Sequence, residues 1–334
     1  MKIKWISVIQ YIIFLGIGIF LVWWSLHQIP DEKWADFKGS LKSANYWLMI
    51  PVFLILSSSH IIRAMRWKIL MKPMGYSPGI INVFFAVMIG YLANLAIPRL
   101  GEVLRCTILS RYEKIPADKL IGTILVERAF DVICLGIVFV VAFISQYDVI
   151  GGYALELFHD AFESRSGRFS AQKIIITLSI LVLTLTAIFF LFKKLNHLSI
   201  VTAVKKMIRG VWEGLISIRN LQQKGLFLLY SGAIWALYIG GTWVGLWATA
   251  GTEGLGLPAA ISSLAFASIG MIITPGGIGA YAFFLAKVLE KNGVSFEIGF
   301  ANGTLQWFAQ FIIILIVGFV CLGLLPWYNK KSAE

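Results

Sequence analysis

A chain of 334 residues that is 58% hydrophobic and only 14% charged carries far more apolar surface than a soluble core of its size needs. That composition excludes a soluble globular domain and predicts an integral membrane protein. The formal net charge of +12 would suggest nucleic acid in a soluble protein, but here it marks cytoplasmic loops, and no run resembles a nucleic-acid module.

In chain order, the first predicted span is 5–26, preceded by Lys2 and Lys4. Its apolar run is too long for a signal peptide and no small-x-small cleavage site follows, so it reads as an uncleaved helix. A second span, 45–62, ends beside His60, Arg63 and Arg66. Region 80–112 is apolar but broken at Ile97-Pro98-Arg99-Leu100-Gly101-Glu102. Span 121–145 carries Glu127, Arg128 and Asp131, and the acidic-leaning loop 146–173 leads to a span at 174–192. Segment 193–224 holds seven basic residues; Ile200, Val204, Met207, Ile208, Val211, Leu215 and Ile218 recur at helical spacing, with Lys205, Lys206 and Arg209 opposite. That pattern fits either an interfacial helix meeting anionic head groups or a connector packed on the bundle. Span 226–248 follows, then a second broken region, 258–289, interrupted at Thr274-Pro275-Gly276-Gly277-Ile278-Gly279 before Tyr281. The last span, 304–324, carries Gln306 and Gln310 on one face and precedes Lys330-Lys331.

The two breaks use the same device. Proline cannot donate a backbone hydrogen bond and glycine permits a sharp turn. In hydrocarbon, non-helical backbone survives only inside protein or beside a wet cavity. Pro98 and Gly101 in the first region, and Pro275, Gly276, Gly277 and Gly279 in the second, are therefore predicted hinges or backbone breaks. The distribution of Lys and Arg decides how these regions cross: a single crossing at 80–112 would put the basic segment 193–224 outside. Two re-entrant hairpins avoid this, with both termini, 63–72, 99–119 and 193–224 cytoplasmic. The expected fold is an all-α polytopic membrane protein of about six full spans plus two re-entrant helical hairpins, eight hydrophobic segments in one transmembrane domain. Its halves, 1–145 and 174–325, each make three crossings and are therefore inverted relative to each other. Such repeats, with broken helices meeting near the midplane, are a common transporter plan. The alternative is a bundle with Gly and Pro but no symmetry.

Three charges in span 121–145 cannot escape the membrane, because the dozen uncharged residues that follow are too few to cross about 30 Å at 1.5 Å per residue. Each charge costs about 2.5–3.5 kcal/mol at a helix centre. Glu127 and Asp131 share a face at i,i+4, whereas Arg128 points about 100° away, so they are expected to meet different partners. Arg63 and Arg66 share a face, as do Arg99, Glu102 and Arg105 if helical. Arginine forks suit either the two carboxylates or a lipid phosphate. A structural ion-pair cluster and an anion site both fit; for Arg99 to Arg105, snorkelling interfacial charges fit as well. A helix starting after Pro98 would also aim its amides at an anion. His60 reads as an interhelical hydrogen bond, Trp23, Trp24, Trp47, Trp67 and Trp327 as an interfacial belt, and Cys106, Cys134 and Cys321 as packing residues. No phosphate loop, nucleophile elbow or His/Cys metal set appears, and no cofactor or metal is expected.

These residues resemble a known family, the transmembrane region of lysylphosphatidylglycerol synthases, also described as flippase-domain-like proteins. The resemblance rests on Arg63-Ala64-Met65-Arg66-Trp67, then Asn94 with Pro98-Arg99-Leu100-Gly101-Glu102-Val103-Leu104-Arg105, then Glu127-Arg128-Ala129-Phe130-Asp131, and finally Pro275-Gly276-Gly277-Ile278-Gly279. In order, these cover nearly the whole chain. The resemblance implies a lipid-flippase-like fold; bifunctional members move an aminoacylated phosphatidylglycerol made by a following synthase domain. With the last residue, Glu334, close behind the last span, that transfer activity is not expected of this chain. Relatives often carry an acidic residue after the Pro-Gly-Gly turn, where this chain has Ala280-Tyr281-Ala282, which leaves a different head group open.

The expectation is a lipid translocase of a prokaryotic cytoplasmic membrane, moving a phospholipid or polyprenyl-phosphate lipid between leaflets. Its substrate-binding candidates are Arg63, Arg66, Asn94, Arg99, Glu102, Arg105, Glu127, Arg128, Asp131, Gln306 and Gln310. The alternative is an enzyme or membrane subunit of lipid-linked amino-acid or sugar transfer. A separately encoded synthase is a candidate partner; nucleic acid is not.

Overall fold

The computed structural model describes residues 5–97, 100–147 and 221–331. Every regular element among them is helical. In chain order these are α1 (Trp5–His27), α2 (Trp34–Lys42), α3 (Met49–Met71), α4 (Ile80–Ala96), α5 (Leu100–Glu113), α6 (Ala117–Ser145), α7 (Lys224–Leu246), α8 (Leu257–Ile273), α9 (Ala280–Lys291) and α10 (Phe296–Lys331). The expected span at 174–192 and the basic helix at 193–220 lie outside the described residues.

Three helical stretches, Tyr46–Met74, Lys224–Leu246 and Phe296–Lys330, are long and apolar enough to cross a membrane, and shorter apolar helices accompany them. The outward faces are apolar too: Leu125, Val132, Val140 and Ile144 of α6 and Phe308, Ile316 and Phe319 of α10 are exposed, while Arg63, Arg66, Arg105 and Glu127 lie inside. That inside-out arrangement belongs to a membrane protein.

Both broken regions form helical hairpins. In the first, Ile97 is extended (φ −141°, ψ 115°) and α5 folds back along α4. The two helices approach so closely at Gly90 and Gly101 that a Cβ on Gly101 would collide with the Gly90 carbonyl oxygen. In the second, α8 and α9 are joined by a 3-10 turn at Pro275–Gly277. Gly276, Gly277 and Gly279 all adopt positive φ, at 62°, 76° and 71°, which an L side chain rarely adopts. A Cβ on Gly270 would lie 2.6 Å from the Ala280 carbonyl carbon, so this hairpin also closes on a glycine. The hairpin ends meet: Gly276 sits against Leu95 at the end of α4, and its carbonyl accepts from Trp307 Nε1 at 2.7 Å.

The packing is reciprocal. α3 lies along α7; α4 packs on α3 and α10, and α8 packs on α7 and α6. One core gathers Trp67, Met71, Val83, Leu109, Leu120 and Phe227 beneath the first hairpin. Another gathers Leu246, Ala267, Tyr281, Leu285 and Leu289 around the second.

Three expectations change. The second helix does not end near Ile62 but runs to Met71, so Arg63 and Arg66 stand within it rather than in a loop. Trp67 is fully buried and is no interfacial anchor, whereas Trp23, Trp24, Trp47 and Trp327 are exposed. Stretch 31–42, between the first two expected spans and given no element by the sequence reading, contains α2, whose Phe37 stacks on Phe300 of α10.

Candidate functional site

The long α3 brings Arg63 and Arg66, one turn apart on one face, against the i,i+4 pair Glu127 and Asp131 of α6. Arg63 Nη1 lies 2.9 Å from Glu127 Oε1 and 2.7 Å from Asp131 Oδ2. Arg66 Nη2 lies 2.7 Å from Asp131 Oδ1 and 3.3 Å from Glu127 Oε1. Arg105, carried in by the fold-back of α5, reaches Glu127 Oε2 at 3.0 Å. Glu127 and Arg66 are wholly buried, and Arg105, Arg63 and Asp131 are 3%, 6% and 15% exposed. The three guanidinium charges exceed the two carboxylates by one. A charge excess in so dry a place is expensive unless something compensates it.

Other side chains hold the arginines in place. Arg63 Nη2 donates to the Tyr238 hydroxyl at 3.1 Å and Arg66 Nη1 to Ser231 Oγ at 3.2 Å, both on α7. The Arg105 guanidinium stacks 4.7 Å above the Trp67 ring, whose Nε1 donates to Thr123 Oγ1 at 2.8 Å. Three donors remain over: the Nε atoms of Arg63, Arg66 and Arg105 are buried with no hydrogen-bond partner among the described residues.

Glu127 and Asp131 thus share partners, while Arg128, on another face of α6, pairs with Glu102 of α5 at 3.3 Å, both partly exposed. Glu102 and Arg105 take different partners. Arg99, with Pro98, lies outside the described residues. Asn94 accepts the Gly101 N–H at 2.8 Å and so caps the start of α5.

Beside this cluster lies a cavity of about 250 Å³ between the two hairpins. His60, Arg63, Tyr91 and Arg128 line it on the first-hairpin side. Thr242 of α7, Ser268 of α8, Tyr281 of α9 and Gln306 and Gln310 of α10 line the other side, which is polar but uncharged. Gln306 is oriented by Asn302, whose Oδ1 accepts from Gln306 Nε2 at 2.8 Å; Asn302 Nδ2 in turn donates to the Gly245 carbonyl at 3.0 Å. Of the residues singled out from the sequence, Arg63, Arg128, Gln306 and Gln310 line this one cavity; Tyr238, Thr242 and Tyr281, which line it too, were not among the candidates. The i,i+4 spacing of Tyr238 and Thr242 in an otherwise apolar helix was an available signal. No group of three or more His, Cys, Asp or Glu residues suited to a metal occurs among the described residues.

Fold and site together define a polytopic helical membrane protein whose paired broken-helix hairpins bracket a buried, cation-rich cluster. Residues 9–318 match the family described as lysylphosphatidylglycerol synthase TM region, and the chain belongs to that family. It is also similar to the UPF0104 membrane protein MJ1595 of Methanocaldococcus jannaschii, 31% identical over 116 residues that make up 34% of each chain. The match therefore spans about a third of that relative. No solved structure matches the chain.

Proposed function

We propose that the protein is a lipid translocase that moves a phosphate-bearing lipid between the leaflets of a prokaryotic cytoplasmic membrane. The observation that carries this reading is the pair of cationic side chains, Arg63 and Arg128, on one wall of the cavity between the hairpins, with the cluster of one-charge cationic excess behind Arg63. Phosphate oxygens suit the planar, multi-donor guanidinium, and the family's description, lysylphosphatidylglycerol synthase TM region, points to phospholipid biology. Arg63 and Arg128 would meet the phosphate; Glu127 and Asp131 would keep the arginines charged and aimed.

The topology that goes with this function is six spans plus two re-entrant hairpins, in two inverted halves with both termini cytoplasmic. The reciprocal packing supports it: exchanging α3 with α7, α4 with α8, α5 with α9 and α6 with α10 turns each contact among these eight helices into another that is present. Glu127 and Asp131 on α6 then correspond to Gln306 and Gln310 on α10, a charged pair behind one wall of the cavity and a neutral pair lining the other.

The test is lipid movement in vesicles containing the purified chain, followed by chemical quenching of a fluorescent phospholipid in the outer leaflet. Arg128→Gln is the informative variant, because its partner Glu102 is partly exposed and tolerates its loss. Transport is expected to fall at least about tenfold with the fold intact, the effect of losing one charge-assisted contact. Wild-type transport in this variant removes Arg128 from the site, and no transport by the wild-type chain on any phospholipid overturns the reading.

A further inference from the structure

We infer that the cavity takes a phosphodiester lipid whose head group is a small, uncharged polyol, an inference that rests on the translocase reading and specifies its substrate. Three observations converge on it.

The first is charge. The cluster carries a single excess positive charge, and a phosphodiester brings a single negative one. A phosphomonoester carries about −1.5 to −2 at neutral pH and would overcompensate. Among the described residues, the two ionised side chains lining the cavity, Arg63 and Arg128, are both cationic, and no acidic side chain lines it. Glu127 and Asp131 are already committed to arginines behind the wall. A head group bearing an ammonium would therefore meet Arg63 and Arg128 with no carboxylate to receive it.

The second is the opposite wall. Thr242, Tyr281, Gln306 and Gln310 offer hydroxyl and amide groups that both donate and accept, the complement of a hydroxyl-rich ligand. The Tyr281 hydroxyl stands 3.5 Å from Gln306 Oε1, the outer limit of a hydrogen bond. On the charged side, Tyr238 accepts from Arg63, which leaves its own proton to donate.

The third is size. A cavity of about 250 Å³ lies at the small end of ligand pockets, which run roughly 300–1,000 Å³. That suits a glycerol or a single sugar ring better than an oligosaccharide. Val52, Leu56 and Ile313 add an apolar wall suited to the root of the acyl chains.

The experiment measures affinity of the purified full chain for three short-chain lipids: phosphatidylglycerol, phosphatidylmethanol and lysylphosphatidylglycerol. Phosphatidylmethanol keeps the diester charge and removes the polyol; the lysyl lipid adds positive charge. Phosphatidylglycerol is expected to bind about tenfold tighter than phosphatidylmethanol, the worth of one or two net hydrogen bonds, with the lysyl lipid weakest. Thr242→Val and Gln310→Leu, made separately in case one fails to fold, are each expected to shrink the glycerol-over-methanol preference to about threefold or less. Equal binding of the two diesters by the wild type, or tightest binding of the lysyl lipid, overturns the head-group assignment. The same lipids are then followed in vesicles. If phosphatidylmethanol is bound and moved as well as phosphatidylglycerol, the translocase stands and only the polyol inference falls. If neither diester is bound or moved, both fall together.

Discussion

Glu127 holds three arginines with two oxygens, and this makes it a structural keystone as well as a site residue. Removing one partner from a buried ionic group costs about 3–5 kcal/mol, because the remaining charges stay buried and unpaired. Glu127→Gln is therefore expected to lower the thermal midpoint in detergent sharply, whereas Arg128→Gln, at a partly exposed pair, is expected to cost less than about 1 kcal/mol. Equal midpoints for the two variants would contradict the buried network. It follows that loss of transport in a Glu127 variant is no clean evidence about substrate, and Arg128 is the better probe. The charged residues were legible in the sequence because an ionisable group in an apolar run has no inexpensive place to go. Their pairing was only half legible: i,i+4 spacing put Glu127 and Asp131 together, but which arginines they meet depends on how far α3 extends. The same extension, to Met71, buries Trp67, which a sequence places at a span end and hence at an interface.

At the scale of single elements, the hairpins depend on glycine at specific contacts and not on glycine in general. Gly101 touches the Gly90 backbone, and Gly279, at φ 71°, would put a Cβ 2.6 Å from the Gly18 carbonyl oxygen of α1. Neither obstacle is a flexible side chain that can swing away. Gly101→Ala and Gly279→Ala are expected to reduce the yield of monodisperse protein strongly. Gly136→Ala, in α6 with no neighbour within 4 Å, is expected to leave it unchanged or improved. Size-exclusion profiles of the three variants check this, and a well-behaved Gly101→Ala would mean the α4–α5 approach is looser than described. The Pro and Gly breaks announced both hairpins in the sequence, since few other residues interrupt an apolar helix so sharply. α2 was missed although Trp34, Phe37 and Leu41 recur at helical spacing; they pack with Phe296 and Phe300 of α10, far along the chain. The mean polarity of 31–42 masked a short helix stabilised almost entirely by that distant partner.

For the whole molecule, the proposed inverted repeat makes a demand beyond the central site: each end should carry an equivalent closure. Two amide clasps answer it. At the base of the first hairpin, Asn82 Nδ2 donates to Glu113 at 2.6 Å and to Asn329 Oδ1 at 3.0 Å, tying α4 and α5 to the far end of α10. At the base of the second, Gln146 Nε2 donates to Asn292 Oδ1 at 2.6 Å, tying the end of α6 to the end of α9. Each clasp joins a hairpin of one half to the long helix of the other, and inversion would put them on opposite faces of the membrane. If the halves rock about the central cavity, each clasp must open in turn. Cysteine pairs at Asn82 with Asn329, and at Gln146 with Asn292, introduced after replacing Cys106, Cys134 and Cys321, can be oxidised to lock either one. Each lock alone is expected to stop lipid movement in vesicles, with recovery on adding a reductant. A water-soluble thiol reagent aimed at Ser268→Cys should reach the cavity from only one face in each locked form, and from opposite faces in the two. Transport that continues under either lock, or labelling from the same face under both, would mean that lipid passes along a fixed path and that the packing symmetry serves folding alone.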